Sequence, residues 1–351
     1  MLVTDYTDPR SVVAADFDPE VLREFLASHF GETGSFSLEK IAGGQSNPTY
    51  FVDYDSHSMV LRKQPAGPIL RGAHAIDREF RVLEALSRTD VPVPRAILYH
   101  DDPKLLGTPF YLMERLRGRV FHDCSLPELS TLERRKIYLS MAEALARLHA
   151  VRPDEIGLGD FGRPGNYFER QIARWTRQYC DSSGEPISAL DAIAEWLAEN
   201  LPKDDGQVSI AHGDFRLGNM LFHPTEPKVI GILDWELSTL GHPLADLGFC
   251  CMPWHTSPDE YGGILGLDFH ALGIPSEAEF TKHYFARAIP TAQLRSFHIV
   301  FALFRFAVIF VGIADRARVG NAAAANAENV APLAGHFAQR AKKIIDGSHR
   351  S

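Results

Sequence analysis

The sequence predicts an α+β chain in two parts: an N-terminal lobe built on an antiparallel sheet with one principal helix, and a mostly helical C-terminal lobe. Three observations predict it. Short alternating apolar runs crowd the first third of the chain, and long amphipathic stretches without internal Pro or Gly fill much of the rest. A single strand–turn–strand signal interrupts those helical stretches near residue 220. With 351 residues, 45% of them hydrophobic, the chain can bury two sizeable cores.

Asp18 followed by Pro19 opens a capped helix over 20–30, since an Asp cap and a first-turn Pro both suit the unpaired N–H groups of a helix start. Strand-like texture follows at 38–41, 49–54 and 59–62. Segment 75–87 carries Ile76, Phe80, Leu83 and Leu86 at helical spacing, and Val91-Pro92-Val93-Pro94 stops it. Further strands are expected at 96–100 and 109–116. After Gly118, helices are expected at 132–150, 167–180, 189–200, 276–288, 291–316 and 329–345, with one low-complexity patch at Ala322–Ala325. A hinge at Met113–Gly118 divides the chain into a nucleotide-binding lobe, 1–116, and a catalytic and acceptor-binding lobe, 117–351.

A net charge of −9 argues against nonspecific binding to nucleic acid or to anionic membrane. Met1–Ala15 contains Asp5, Asp8 and Arg10 and no apolar core, so it does not read as a signal peptide. Phe297–Ala314 is apolar enough to be weighed as a membrane span, but Arg305 at its middle favours a buried core helix. Cys124, Cys180, Cys250 and Cys251 lack metal-ligand spacing and read as reduced thiols in the cytoplasm. No nucleic-acid or membrane partner is expected, and oligomeric state is left open.

The chemistry is concentrated in His212-Gly213-Asp214-Phe215-Arg216-Leu217-Gly218-Asn219, with Asp234 fifteen residues beyond Asn219 in Ile232-Leu233-Asp234-Trp235-Glu236. In phosphoryl transfer a loop Asp orients and deprotonates the attacking hydroxyl. An Asn five residues later and a separate downstream Asp hold the magnesium that bridges the nucleotide phosphates. Met220–His223 and Lys228–Leu233 read as two strands joined by a Pro224-Thr225-Glu226-Pro227 turn. Such a hairpin returns Asp234 toward Asn219, giving a neutral and an anionic oxygen suited to Mg2+. Asp214 is then expected to stand free for the acceptor hydroxyl, with Asp246 as a buried acceptor bracing the loop and His212 as architectural.

Gly43-Gly44-Gln45-Ser46-Asn47 lies between two strands, where exposed N–H groups can cradle phosphate oxygens. No GxGxxG or GxxxxGK[ST] pattern occurs, which disfavours a P-loop enzyme. The following strand, Val60-Leu61-Arg62-Lys63, supplies a cation for those phosphates. Period-two alternation puts Val60 and Arg62 on one face and Leu61 and Lys63 on the other. Arg62 is taken as the inward residue with Glu79 as its partner, and Lys63 stays open as the alternative.

These residues resemble the aminoglycoside phosphotransferase and choline kinase-like superfamily, through HGDFRLGNMLF and ILDWE. Within it the chain is most similar to the kinase-like domain fused to some acyl-CoA dehydrogenases, and to free-standing bacterial relatives. GGQSNPTYFV, VLRKQP, HAIDREFRVLEAL, VPVPR, FYLMERLRG and ILDWELSTLGHPLADLGF carry that likeness, over roughly 36–318. The resemblance implies a two-lobed protein-kinase-like fold with ATP between the lobes and adenine bonded to backbone near Glu114 to Leu116. It implies Asp214 as catalytic base, Asn219 and Asp234 as magnesium ligands, Arg62 and Glu79 as an ion pair, and Ser46 and Asn47 in the phosphate-covering loop. Trp235-Glu236 replaces the Phe-Gly of protein kinases, and no activation loop ends in Ala-Pro-Glu, which argues for a small-molecule acceptor.

The expected activity is therefore Mg-ATP-dependent phosphoryl transfer to a small-molecule hydroxyl, with a hydroxyacyl-CoA as the acceptor implied by the nearest relatives. The alternatives are an aminoglycoside or other antibiotic phosphotransferase, and a catalytically silent nucleotide-binding pseudokinase. Intact Asp214, Asn219 and Asp234 favour an enzyme. Nothing in the sequence separates ATP from GTP.

Overall fold

A computed structural model describes residues 15–31, 34–41, 47–67, 74–163, 165–288, 292–318 and 332–348. The chain divides into two compact units, Met1–Arg119 with Met220–Leu237, and Val120–Asn219 with Ser238–Ser351. The hairpin that interrupts the helices thus belongs to the first unit.

In the first unit, helix α1 (Pro19–Phe30) is capped by Asp18, whose Oδ1 accepts the Glu20 N–H at 3.0 Å. Strands β1 (Phe36–Lys40), β2 (Thr49–Tyr54) and β3 (His57–Lys63) precede helix α2 (Ile76–Leu86). Strand β4 (Ala96–His100), the short helix α3 (Pro103–Leu106) and strand β5 (Phe110–Glu114) follow. The five strands form one antiparallel sheet in the order β1-β2-β3-β5-β4. Tyr50, Val52, Leu61, Phe110 and Leu112 pack with Leu22 and Leu26 of α1 into a core cluster. β5 stops at Glu114, short of the expected 116, and just beyond it the Arg115 N–H still bonds Ser58 O on β3 at 3.1 Å.

The hairpin pairs Met220–Phe222 with Val229–Ile232, antiparallel with a bulge between Leu221 and Phe222. Arg119 joins it by a pair of backbone bonds, its N–H to Phe222 O at 2.7 Å and Phe222 N–H to Arg119 O at 2.8 Å. A side chain at Gly118 would begin 2.3 Å from Phe222 O, so this close approach requires glycine.

The second unit is helical: α4 (Thr131–Ala150), α5 (Tyr167–Cys180), α6 (Ser188–Glu199), α7 (Pro243–Cys250), α8 (Phe269–Leu272), α9 (Glu277–Phe285), α10 (Ser296–Arg318) and α11 (Leu333–Ser348). Ser130 and Ser276 start α4 and α9 with reciprocal Glu133 and Glu279 capping boxes. α10 begins at Ser296, later than the expected 291, a position that lies outside the described residues. It packs against α5, α6, α7 and α11. Residues 296–315 are long and apolar enough to cross a membrane by length and composition, and 78% of the apolar window is buried within the protein.

Besides the one-turn helices α3 and α8, two further features were not expected from sequence. A two-stranded ribbon pairs Ser209–Ala211 with Thr239–Gly241, and α7 follows it directly. Both are too short for periodicity to reveal.

Candidate active site

In the first unit, β3 and α2 bring a carboxylate and a cation together. Glu79, on α2 and 2% exposed, faces the Arg62 guanidinium with Nε···Oε2 at 2.8 Å, a close ion pair whose N–H is not aimed well enough to be a hydrogen bond. Asn47 donates to Glu79 Oε1 at 2.8 Å and the Tyr111 hydroxyl donates to Oε2 at 3.1 Å. Burial pushes the Glu79 carboxyl up, and Arg62 offsets part of that rise. For Arg62, burial opposes the charge, but Glu79, with Asp234 and Glu236 behind it, holds the guanidinium above its ordinary value.

Asp234 lies in the same cluster. Its Oδ1 accepts Arg62 Nη2–H at 2.9 Å, and Glu236 stands 3.8 Å from that nitrogen. Asp234 has φ 66°, a left-handed conformation that costs a non-glycine residue energy but is tolerated best by Asp and Asn. With Oδ1 on Arg62 and the side chain 34% exposed, Oδ2 remains for a cation.

Lys63 points to the other side of β3. It is 1% exposed, and its Nζ donates to Asp16 Oδ2 at 2.9 Å and to Leu106 O at 3.0 Å. Alternation along the strand therefore gives Arg62 to Glu79 and Asp234, and Lys63 to a separate buried cluster. Asn47 is 1% exposed with its side chain on Glu79, and Ser46 lies outside the described residues. At the end of β5, Glu114 N–H bonds Arg95 O at 2.9 Å. Leu116 packs against Gly231, and its backbone enters no backbone hydrogen bond among the described residues.

In the second unit, the loop after Ala211 is anchored from below. Asp246 on α7, 1% exposed, accepts the His212 N–H at 2.6 Å and the Gly213 N–H at 2.9 Å. His149 Nε2 is 3.5 Å from Asp246 Oδ2, and His149 Nδ1 is 2.8 Å from the Tyr284 hydroxyl. Burial works to raise the Asp246 carboxyl. His149 and the Gly213 N–H outweigh it and hold the group below the usual carboxylate range. Gly213 adopts φ 82°, a turn that aims the following residue, and His212 Nδ1 accepts the Asp214 N–H at 3.1 Å.

Asp214 does not stand free. Asn219 Nδ2 donates to Asp214 Oδ2 at 2.6 Å and to Asp214 O at 2.9 Å, and Arg216 Nε donates to Oδ2 at 3.2 Å. One carboxylate oxygen is thus fixed, and Oδ1 is left to accept a proton. Asn219, having spent its amide nitrogen on Asp214, keeps its carbonyl oxygen for a cation. Among the described residues no cluster of three or more His, Cys, Asp or Glu could hold a metal. Asn219 belongs to the second unit and Asp234 to the first, and each by itself offers the kind of hard oxygen that magnesium takes.

Beside Arg216, Leu217 and Gly218 lies a cavity of about 290 Å3, lined further by Met141, Phe249, Met252 and Phe306. Its one carboxylate, Glu260, is engaged by Arg340 Nε at 2.7 Å. Cys124 also lines it, and burial pushes that thiol up to about 12, so it supplies no thiolate. Arg305, 6% exposed on α10, donates through Nη2 to the Gly213 carbonyl, and sequence reasoning missed this contact as it missed Tyr111, His149 and Tyr284. The one available signal was the charged Arg305 inside an apolar run.

Residues 37–280 match the family described as the phosphotransferase enzyme family, APH. Acyl-CoA dehydrogenase family member 11 of Gallus gallus is 40% identical over 318 residues, covering 89% of this chain and 40% of that protein. Acyl-CoA dehydrogenase family member 10 of Mus musculus is 38% identical over 330 residues, 91% of this chain and 30% of that protein. The chain therefore spans less than half the length of these relatives. A solved Ralstonia eutropha structure, provisionally assigned as an aminoglycoside phosphotransferase, is 44% identical with a TM-score of 0.83, covering 93% of this chain and 99% of that one. The fold is shared with aminoglycoside phosphotransferase APH(4)-Ia, solved with ADP and hygromycin B, at TM-score 0.61 and 15% identity over 93% and 98% of the two chains. It is shared too with a microcompartment-associated aminopropanol kinase, at 0.63 and 17% over 94% and 98%.

Proposed function

The chain belongs to the phosphotransferase enzyme family, and from that premise we propose that it moves the γ-phosphoryl group of ATP to the hydroxyl of a small acyl metabolite, a hydroxyacyl-CoA being the first candidate. The observation that carries this reading is the state of Asp214: one oxygen is held by Asn219 and Arg216, and the other is open, on a loop anchored by Asp246. Asp214 Oδ1 takes the hydroxyl proton as the acceptor oxygen bonds to the γ-phosphorus and the bond to the departing ADP oxygen breaks. Asn219 and Asp234 are the proposed magnesium ligands. Arg62, kept in place by Glu79, is the proposed phosphate cation, and the backbone near Glu114 and Leu116 the proposed adenine contact. Magnesium, when bound, neutralises charge on the phosphates.

An acyl acceptor is favoured over an aminoglycoside by the cavity beside Arg216. Its walls are largely apolar, and its one carboxylate is spent on Arg340. A polycationic antibiotic would find no free anion there, whereas an alkyl chain would bury its surface. The free cysteines suit a reducing compartment, and a cytoplasmic location is part of the proposal. The test is transfer of labelled γ-phosphate across hydroxyacyl-CoAs, free hydroxy acids, aminoglycosides, choline and sugars. Transfer to the acyl compounds is expected. Labelling of aminoglycosides alone would refute the acyl assignment, and labelling of no compound would refute the enzyme.

A further inference from the structure

We propose that Tyr261 is a specificity-determining residue of the cavity beside Arg216, its ring forming the wall against which the alkyl chain of the acyl acceptor lies. This deepens the reading above and rests on it. Tyr261 lines that cavity together with Met141 of α4 and Phe306 of α10. The Arg216 guanidinium stands over the Tyr261 ring, 5.8 Å from its centre, and Arg216 Nε donates to Asp214 Oδ2. A single side chain therefore separates Tyr261 from the proposed base.

The backbone sets Tyr261 apart. Six non-glycine residues among those described have a left-handed φ, and four of them are Asp, Asn or His, which tolerate it best. Of the other two, Leu126 at φ 50° is fully buried, and core packing offsets its strain. Tyr261 at φ 61° is 48% exposed, so packing in its own core does not account for it. The loop around it is firmly held. Glu260 Oε2 accepts the Ser257 N–H at 2.9 Å and Arg340 Nε–H at 2.7 Å, and Arg340 Nη2 donates to Ser257 Oγ at 3.1 Å. Leu265 N–H bonds Thr256 O at 2.8 Å, and a side chain at Gly263 would clash with that same oxygen. Strain persists where the surroundings over-determine it, and ligand clamps are such places.

The surroundings name the occupant. The Tyr261 ring packs edge-on against Phe306 and Phe310, with centres 5.2 and 5.3 Å apart, and both of those rings meet Phe337 of α11. The three phenylalanines are at most 5% exposed, so Tyr261 is the outer, half-covered member of an aromatic cluster. Arg216 already supplies a cation to its ring, which leaves hydrocarbon as the partner that gains most there. A chain entering beside Arg216 covers the exposed part of the ring, and each added methylene removes more apolar surface from water.

The experiment compares hydroxybutanoyl-, hydroxyhexanoyl- and hydroxyoctanoyl-CoA, with the hydroxyl on the same carbon, in the wild type, Y261F, Y261N and Y261G. Asn and Gly both accept the left-handed backbone, so these variants remove the ring without adding strain. In the wild type KM is expected to fall up to about fourfold per added methylene, as full burial of a CH2 supports. Y261F should keep that increment, because the ring and not the hydroxyl forms the wall. Y261N and Y261G should cut it to under about twofold. An unchanged increment would overturn the proposal, and an equal loss of kcat at every chain length would then assign Tyr261 to holding Arg216 alone. Calorimetry with butanoyl- and octanoyl-CoA, which carry no hydroxyl to phosphorylate, reads the wall independently of turnover. Tighter binding of octanoyl-CoA in the wild type, lost in Y261N and Y261G, supports the proposal even if no hydroxyacyl-CoA is phosphorylated. Equal binding of the two thioesters to the wild type, or binding of neither, overturns it.

Discussion

Asp246→Asn changes a single atom at the base of the loop that carries Asp214, and its effect can be worked out bond by bond. The carboxylate accepts two backbone N–H groups, from His212 at 2.6 Å and Gly213 at 2.9 Å, and His149 Nε2 is 3.5 Å away. Asn offers one oxygen and one NH2, so one of the two amides must face another donor. A buried N–H without an acceptor costs about 1–3 kcal/mol, and exchanging the surviving charge-assisted bond for a neutral one costs about 1 kcal/mol more. The variant should therefore lose roughly 2–4 kcal/mol. Urea unfolding followed by far-UV circular dichroism measures this, and amide exchange at His212 and Gly213 localises it. The sign of the pH dependence follows from the lowered folded-state pKa of Asp246. The ion contributes stability above the ordinary carboxylate pKa, and that contribution is lost as pH falls through the lower folded value. The gap between wild type and D246N should be widest near neutrality and close in acid. A difference under about 0.5 kcal/mol at pH 7, with both amides still protected, would refute this account of the loop.

Asp214→Asn should retain nucleotide binding and lower kcat by about a hundredfold or more, as loss of a general base does; unchanged turnover on an identified acceptor would remove Asp214 from that role. Asp234→Asn is expected to weaken magnesium-dependent nucleotide binding, and an Mg-ATP thermal shift identical to wild type would count against it. Arg62→Met should raise the KM for ATP. Lys63→Met should leave KM alone and cost about 1–3 kcal/mol, discounted because the Asp16 side chain is 33% exposed. The reverse pattern would exchange the two residues' roles.

The loop 212–219 stood out because phosphoryl-transfer chemistry fixes both residue types and spacing, but spacing did not reveal that Asn219 would bond Asp214, which was expected to stand free. Alternation along β3 correctly separated Arg62 from Lys63, since a strand must send successive side chains to opposite faces. It could not say what either face would meet, so Asp16 as the partner of Lys63 stayed invisible. Asp246 was readable as a brace because a carboxylate in so apolar a run needs donors. His149 and Tyr284, which complete that brace, come from helices far apart in sequence and show no shared pattern. Arg305 was visible only as an anomaly in α10. Which loop it touches depends on how α5, α7 and α10 pack, and periodicity does not encode that.

The division of the chain also has a consequence in time. The first unit is not finished when its opening 119 residues have been made, because its hairpin is encoded after another hundred residues that belong elsewhere. At roughly 5–20 residues per second, the ribosome needs on the order of ten seconds to deliver it. Until then Gly118 and Arg119 have no Phe222 to close upon, and Arg62 waits for Asp234. The cluster around Arg62 is therefore completed late in synthesis. A nascent chain released before residue 234 would carry the sheet without the residue that gives Arg62 its second carboxylate.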